Sequence, residues 1–152
     1  MTKPQKMETP RVAYVQARWH AAIVDQALVG FRDVWDAGPL KDGVVDVFDV
    51  PGAFEMPLTA KKLAQSGRYD AVVCAALVVD GGIYRHDFVA QSVVDGLMQV
   101  GLETGVPVFS VSLTPHHFQE TAAHEGFFKE HFVLKGQEAA RAVMQMMALE
   151  IA

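Results

Sequence analysis

The sequence is poor in the residues that build disulfide frameworks and thiolate metal sites. Its 152 residues include one cysteine, Cys74, which lies inside an apolar run. A single cysteine excludes an intramolecular disulfide and a cysteine-ligated zinc site. Apolar neighbours favour a buried core thiol over a nucleophile at this position.

Long apolar runs and an excess of positive charge are also absent. No stretch is long enough to span a bilayer, and the polar first ten residues lack the apolar region of a signal peptide. The formal charge of −5 argues against a general binder of nucleic acids or anionic membranes. We therefore expect a cytoplasmic protein without a membrane or nucleic-acid partner.

Nucleotide and metal motifs are missing as well. There is no Walker motif and no G-x-G-x-x-G, so neither nucleoside triphosphates nor dinucleotides are supported as ligands. Of the six histidines, His116 and His117 are adjacent and their side chains must diverge. No H-x3-H or H-E-x-x-H spacing occurs. We expect no metal site.

The sequence does contain alternating strand-like and helix-like patterns. They predict strands over 11–17, 44–50, 70–79 and 106–113, and helices over 23–35, about 55–65, about 87–104 and about 136–149. A polar, histidine-rich stretch occupies 114–131. In the third helix the pattern places four residues on one apolar face: Val89, Val93, Leu97 and Val100.

Strands that alternate with helices predict a parallel sheet covered on both faces. The fold class is therefore α/β, a flavodoxin-like three-layer αβα sandwich with a four-stranded parallel sheet, and the very apolar strand over 70–79 lies in its middle. We expect one domain over 11–152 and a flexible N-terminal arm over 1–10.

Ligands of open parallel sheets bind beyond the carboxyl ends of the strands. The segments that follow the four predicted strands are 18–20, 51–55, 80–86 and 114–117. They carry aromatic, cationic, imidazole and carboxylate groups, which suit a flat, polar, anionic ligand. Gly81-Gly82 before a helix suits a phosphate, although a tight turn without a ligand explains it equally well.

Several side chains at this edge have two interpretations. Arg85 and His86 suit a phosphate partner and a proton carrier, or are simply exposed at the start of a helix. Trp19 is either a stacking plate for a heterocycle or a packing residue. Glu55 is either functional or a carboxylate favoured by the helix dipole.

Taken together, the loops resemble those of the lumazine synthase family. The resemblance runs from about residue 11 to 148, and its most specific part is Pro51-Gly-Ala-Phe-Glu55. Arg18-Trp19, Val78-Val-Asp-Gly-Gly82 with His86-Asp-Phe-Val89, and Gly105-Val-Pro-Val108 add to it. The third loop, DGGIYRHDF, resembles the divergent second type found in rhizobia and their relatives.

The resemblance implies a transferase of riboflavin biosynthesis. Family members condense 5-amino-6-(D-ribitylamino)uracil with 3,4-dihydroxy-2-butanone 4-phosphate to 6,7-dimethyl-8-ribityllumazine. No cofactor and no metal are needed. The protein positions the small-molecule substrates, transfers protons and binds phosphate.

The resemblance also implies roles for particular residues. Trp19 would stack on the pyrimidine, and Gly82 and Ile83 would bind phosphate through their amides. The ring and the ribityl chain would be held by Ala53, Phe54, Glu55, Leu77, Val78 and Val79. Ser110 and His124 would come from the adjacent subunit and complete the pocket, and Lys135 and Glu138 would line the same edge. Such a shared site implies a homo-oligomer, a pentamer or a decamer made of two pentamers, and the divergent type favours the decamer.

Three departures from the commoner members bear on activity. Their catalytic histidine aligns with Arg85, one residue before His86, so either residue could be the catalytic group here. Their phosphate-binding arginine aligns with His124, and a family phenylalanine aligns with Ser110. We therefore expect reduced activity.

The sequence is also compatible with two other functions. A flavodoxin-like electron carrier would need a hydroxyl-rich phosphate loop after the first strand, and Arg18-Trp19-His20 is not one. A flavin- or lumazine-binding or assembly protein with little catalysis is the stronger alternative. An activity assay with both substrates separates it from the enzyme.

Overall fold

The structure is a computed structural model, which describes residues 9–79, 86–116 and 118–151. Its centre is a four-stranded sheet in which all neighbouring strands run parallel, in the order β2-β1-β3-β4. The predicted flavodoxin-like α/β sandwich is confirmed. The strands are β1 (Arg11–Ala17), β2 (Val44–Val50), β3 (Ala71–Leu77) and β4 (Val108–Leu113).

Helices cover both faces of the sheet and complete the three layers. They are α1 (Ala21–Ala37), α2 (Met56–Gln65), α3 (His86–Thr104) and α4 (Ala122–Ala148), and a short 3-10 helix (Ala53–Glu55) precedes α2. Side chains of α1 and α4 form one core with alternate residues of the strands. Side chains of α2 and α3 form a second core on the opposite face.

Strand β3 is buried along its whole length, as its apolar sequence predicted. Cys74 lies in its middle and is buried, which confirms the prediction for this thiol. The strand is shorter than predicted at its carboxyl end. The amide of Val78 still donates to the carbonyl of Leu113 at 2.9 Å, but β4 ends at that residue, so the chain leaves the sheet.

Strand β4 begins later than predicted, at Val108. Pro107 has no amide hydrogen, and it contributes to the sheet only through its carbonyl, which accepts from Val72 at 2.9 Å. The regular ladder therefore starts one residue further on.

The start of helix α4 is the largest difference between the predicted and the observed elements. The polar stretch was predicted to extend to residue 131 and the helix to begin near 136, whereas the helix begins at Ala122. The Thr121 hydroxyl caps it by accepting from the His124 amide at 3.2 Å. Contacts with α1 stabilise this helix, and Phe132 in its middle is fully buried, so tertiary packing outweighs a weak local pattern.

The two helices meet at glycines. A Cβ on Gly30 of α1 would overlap the Val133 carbonyl of α4, and a Cβ on Gly136 would overlap the Ala27 carbonyl of α1. The backbones therefore approach more closely than any larger residue allows.

The apolar face of α3 is also shifted from the prediction. Val93, Leu97 and Val100 are buried as expected, but the first turn buries Ala90 in place of Val89. Val89 is 36% exposed. The helix rotates about 100° per residue, so moving the face by one position turns Val89 away from the core.

Within the described ranges, no helix has the length and hydropathy needed to cross a membrane. The same ranges contain no group of three or more His, Cys, Asp or Glu side chains placed to hold a metal ion. Most of the predicted N-terminal arm, residues 1–8, lies outside them.

Candidate functional site

A cleft of about 390 Å3 opens at the carboxyl ends of β1 and β3, the edge at which the sequence predicted a site. Six of the predicted ligand-binding residues line it: Trp19, Ala53, Phe54, Leu77, Val78 and Val79. The other lining residues are Ala17, His20, Gly52, Ala76 and Val89. The walls are mostly apolar, as in most small-molecule sites.

Trp19 forms one wall of this cleft with a ring that is 69% exposed. Its indole N–H donates to the carbonyl of Pro51 at 2.9 Å. This hydrogen bond ties the segment after β1 to the segment after β2. The indole is thus oriented by the protein while its ring remains available for stacking.

The segment after β2 places Phe54 and Glu55 beside Trp19. Phe54 is exposed and lines the cleft. Glu55 does not line it, but a Cβ at Gly52 would lie 3.1 Å from the Glu55 Oε1 and 3.7 Å from the Trp19 Nε1. The carboxylate and the indole therefore flank Gly52, whose missing side chain leaves the space between them open.

The end of β3 forms the floor of the cleft. Leu77 is buried, and Val78 and Val79 are half-buried as the chain leaves the sheet. Because the Val78 amide already donates to Leu113, this residue can offer a ligand its side chain and its carbonyl, but not its N–H.

The predicted phosphate loop lies outside the described residues. Gly82, Ile83 and Arg85 all belong to residues 80–85, so their roles remain predictions. His86 is described and is the first residue of α3. It precedes the cleft-lining Val89 by three positions, and residues at this spacing share one face of a helix.

Three other predicted residues form a second, separate cleft. Ser110 of β4 and Lys135 and Glu138 of α4 line a cavity of about 360 Å3 at the free edge of the sheet. The Lys135 ammonium and the Glu138 carboxylate pair at 3.1 Å. The two clefts share no lining residue.

His124 lies in neither cleft. Its Nδ1 accepts from the Gln119 amide at 3.0 Å, and its ring packs against Phe118 and Phe128. Along α4 it is about 16 Å from Lys135. Within one chain, His124 therefore lies apart from the cleft that Ser110, Lys135 and Glu138 line.

The structure also places in the first cleft a residue for which no role was predicted. His20 lines the first cleft next to Trp19. From the sequence, His20 was noted only as part of the segment after β1. Its contact with Glu120 joins two parts of the chain that are far apart in sequence, and no local pattern predicts such a contact.

Two groups of possible chemical interest, the Arg18 guanidinium and the Cys74 thiol, are already engaged or buried. Arg18 forms two hydrogen bonds of 2.8 Å with Asp25, and this carboxylate raises the pKa of the guanidinium. Burial raises the pKa of the Cys74 thiol to about 12, so this group is not a nucleophile near neutral pH.

Comparisons with known proteins agree with this arrangement. The family model described as 6,7-dimethyl-8-ribityllumazine synthase matches residues 9–150. A protein of that name from Rhodococcus erythropolis is 61% identical over 139 residues, which cover 91% of this chain and 89% of the relative.

Other similar proteins are named 6,7-dimethyl-8-ribityllumazine synthase 2. The one from Pseudomonas syringae pv. tomato is 56% identical over 92% of this chain and 82% of its own length. The one from Bradyrhizobium diazoefficiens is 52% identical over 91% of this chain and 83% of its own length. The resemblance drawn from the loop motifs is confirmed, and the chain belongs to the 6,7-dimethyl-8-ribityllumazine synthase family.

Proposed function

We propose that this chain is a transferase that condenses 5-amino-6-(D-ribitylamino)uracil with 3,4-dihydroxy-2-butanone 4-phosphate. The product is 6,7-dimethyl-8-ribityllumazine, formed in the penultimate step of riboflavin biosynthesis. The observation that carries this proposal is the single cleft that joins Trp19, the segment after β2 and the end of β3. Membership of the family indicates which reaction such a cleft would catalyse.

The cleft suits a flat heterocycle with a polar chain. Its volume of about 390 Å3 lies within the range of small-molecule sites. The pyrimidine would stack on the exposed Trp19 ring, and the ribityl hydroxyls would reach the Glu55 carboxylate, which lies beside Gly52. Val78 and Val79 would contact the ring from below.

The reaction requires proton transfers and the departure of phosphate. The amine of the uracil attacks the ketone, water is lost as the imine forms, phosphate is eliminated, and a second amine closes the ring with loss of another water. His86 would carry protons, because it lies on the face of α3 that presents Val89 to the cleft. Arg85 would pair with the phosphate, and the amides of Gly82 and Ile83 would bind it.

We further propose that the complete site forms between two copies of the chain. Ser110, Lys135 and Glu138 lie in a second cleft that is separate from the first. One chain therefore holds two groups of predicted site residues that it does not itself bring together. A head-to-tail contact repeated around a ring would join the first cleft of one copy to the second cleft of its neighbour.

An exposed apolar surface supports this assembly. A groove of about 500 Å3 runs between α3 and β4, and four exposed apolar side chains line it: Val94, Met98, Leu102 and Met146. Apolar patches of this kind mark interfaces in soluble proteins. We propose a pentameric ring and, by resemblance to the divergent type, a decamer of two rings acting in the cytoplasm.

The test is to mix the purified protein with both substrates and measure lumazine fluorescence above the uncatalysed background. Trp19→Ala should raise the KM for the uracil by roughly fivefold or more, because stacking of a base on an aromatic ring contributes about 1–3 kcal/mol of binding free energy. Phe127→Ala is the matched control, since Phe127 also carries an exposed ring but lies outside both clefts, and it should leave the KM unchanged.

Two results would contradict the proposal. Fluorescence at the background rate would indicate a binding or assembly protein in place of an enzyme. An unchanged KM in Trp19→Ala would contradict the stacking role.

We also expect a lower kcat/KM than in the commoner family members, because fewer fixed positive charges would face the phosphate. Steady-state kinetics that match those members would contradict this expectation.

A further inference from the structure

His20 combines a strained backbone with a position in the wall of the cleft. Its φ of 59° and ψ of 53° lie in the left-handed region. Among the described residues, no other residue apart from glycines has a positive φ. A side chain disfavours this conformation, so such a residue persists only where its surroundings fix it. Strained residues of this kind concentrate at functional sites.

The strained turn connects Trp19 to helix α1. The His20 carbonyl accepts from the amides of Ile23 and Val24 at 2.9 and 3.1 Å, which starts the helix. The His20 side chain does not cap that helix. The backbone conformation of His20 therefore sets the orientation of Trp19 relative to helix α1. The Trp19 indole forms the cleft wall.

The imidazole is held from the opposite side by the segment before α4. Its ring meets the Phe118 ring edge to face, with centroids 5.4 Å apart. Its Nε2 lies 3.7 Å from the Glu120 carboxylate, and the His20 side chain is only 22% exposed. Phe118 in turn packs against His124 and Phe128 of α4.

We propose that His20 is a positioning residue for Trp19. The imidazole, packed on Phe118 and close to the Glu120 carboxylate, locks the left-handed turn and so keeps the indole at the angle at which it donates to Pro51 and faces the cleft. The role rests on the proposed function, in which Trp19 stacks on the uracil. It also couples the cleft to the segment that carries His124.

The variant that tests this proposal is His20→Gly. Glycine adopts the left-handed conformation without strain, so the fold and its thermal stability should be kept while the imidazole is lost. Because the turn is then free to move, the KM for the uracil should rise roughly fivefold while kcat changes less than about twofold. Phe118→Leu should shift the KM in the same direction, and Phe127→Leu should not.

Tryptophan fluorescence gives a readout that does not depend on activity. Trp35 is fully buried and Trp19 is exposed, so acrylamide quenches Trp19 selectively. In His20→Gly we expect a larger quenching constant and a red-shifted emission, because the indole no longer keeps its contact with the Pro51 carbonyl. Unchanged quenching would overturn the proposal, whether or not the protein makes lumazine.

A double-mutant cycle separates this inference from the proposed function. If His20 acts through Trp19, His20→Gly should add nothing to the KM of Trp19→Ala. A full additional rise in that background, or a loss of kcat with an unchanged KM, would mean that His20 acts on the substrate itself and would overturn the positioning role. Absence of lumazine formation by the unmodified chain would reject the proposed function alone, and the quenching result would still decide the role of His20.

Discussion

Cys74 illustrates how position within the sheet decides the chemistry of a side chain. It lies on β3 between two covered faces, and the loss of solvation raises the pKa of its thiol from 9.0 to about 12. The folded protein therefore disfavours the thiolate, which is the reactive form. The sequence predicted this burial because the neighbours of Cys74 on both sides are apolar.

The thiol should be inert in the native protein and should lower stability at high pH. Because the pKa is raised on folding, its contribution to stability is complete below pH 9 and is lost as the pH rises toward about 12. Labelling with a thiol reagent at pH 7.5 should be slow without denaturant and complete within minutes in the unfolded state. Rapid stoichiometric labelling of the native protein would contradict the assigned burial.

Residue-level prediction from the sequence succeeded where a strand end identifies a loop. Trp19, Phe54 and Val78 follow different strands, and parallel strands bring their carboxyl ends to one edge, so their common cleft could be predicted. The position of His20 could not, because its left-handed backbone and its partner Glu120 depend on tertiary packing. The separation of His124 from Lys135 likewise depends on where α4 begins.

At the scale of elements, burial explains both the successes and the error. The bounds of β1 and β2 were predicted correctly, because the apolar run of β1 is followed by the polar Arg18 and a change of period, and β2 is followed by Pro51-Gly52. The first half of α4 was missed because histidines, a glycine and exposed polar groups obscure its periodicity. Its stabilising partner, α1, is distant in sequence, and no local pattern reports a contact of that kind.

The glycine contact between α1 and α4 makes a direct prediction. Gly136→Ala should destabilise the fold by about 1–3 kcal/mol, because the added Cβ meets the Ala27 backbone and the helices must separate. Gly126→Ala lies on the same helix with nothing within 4 Å of the added atom, and it should stabilise by about 0.5–1 kcal/mol. Urea unfolding of both variants measures the difference.

Equal effects of the two substitutions would contradict the close approach of the helices. Similar destabilisation would mean that an added Cβ at Gly126 also meets a neighbour, and similar stabilisation would mean that helix propensity dominates because α1 and α4 are further apart than the structure places them. The midpoint and the slope of the urea transition distinguish a change in stability from a change in compactness.

At the scale of the whole molecule, the proposed shared site would make assembly a condition of activity. The first cleft lies at the carboxyl ends of β1 and β3, and the second lies between β4 and α4. Neither holds all the residues that the family resemblance assigns to one site. In a ring of identical copies, each contact would join one cleft of each kind, so every copy would contribute to two sites.

Co-expression of two defective variants tests this shared site most directly. At uracil concentrations well below the KM, Trp19→Ala impairs the first cleft, and the combined substitution Lys135→Ala and Glu138→Ala impairs the second. In randomly mixed rings about a quarter of the contacts join two intact clefts, so these sites alone should supply about 25% of the rate of the unmodified protein and raise lumazine formation above the mean of the two separate variants. Activity that remains at the mean of the two separate variants would contradict a site shared between neighbouring chains.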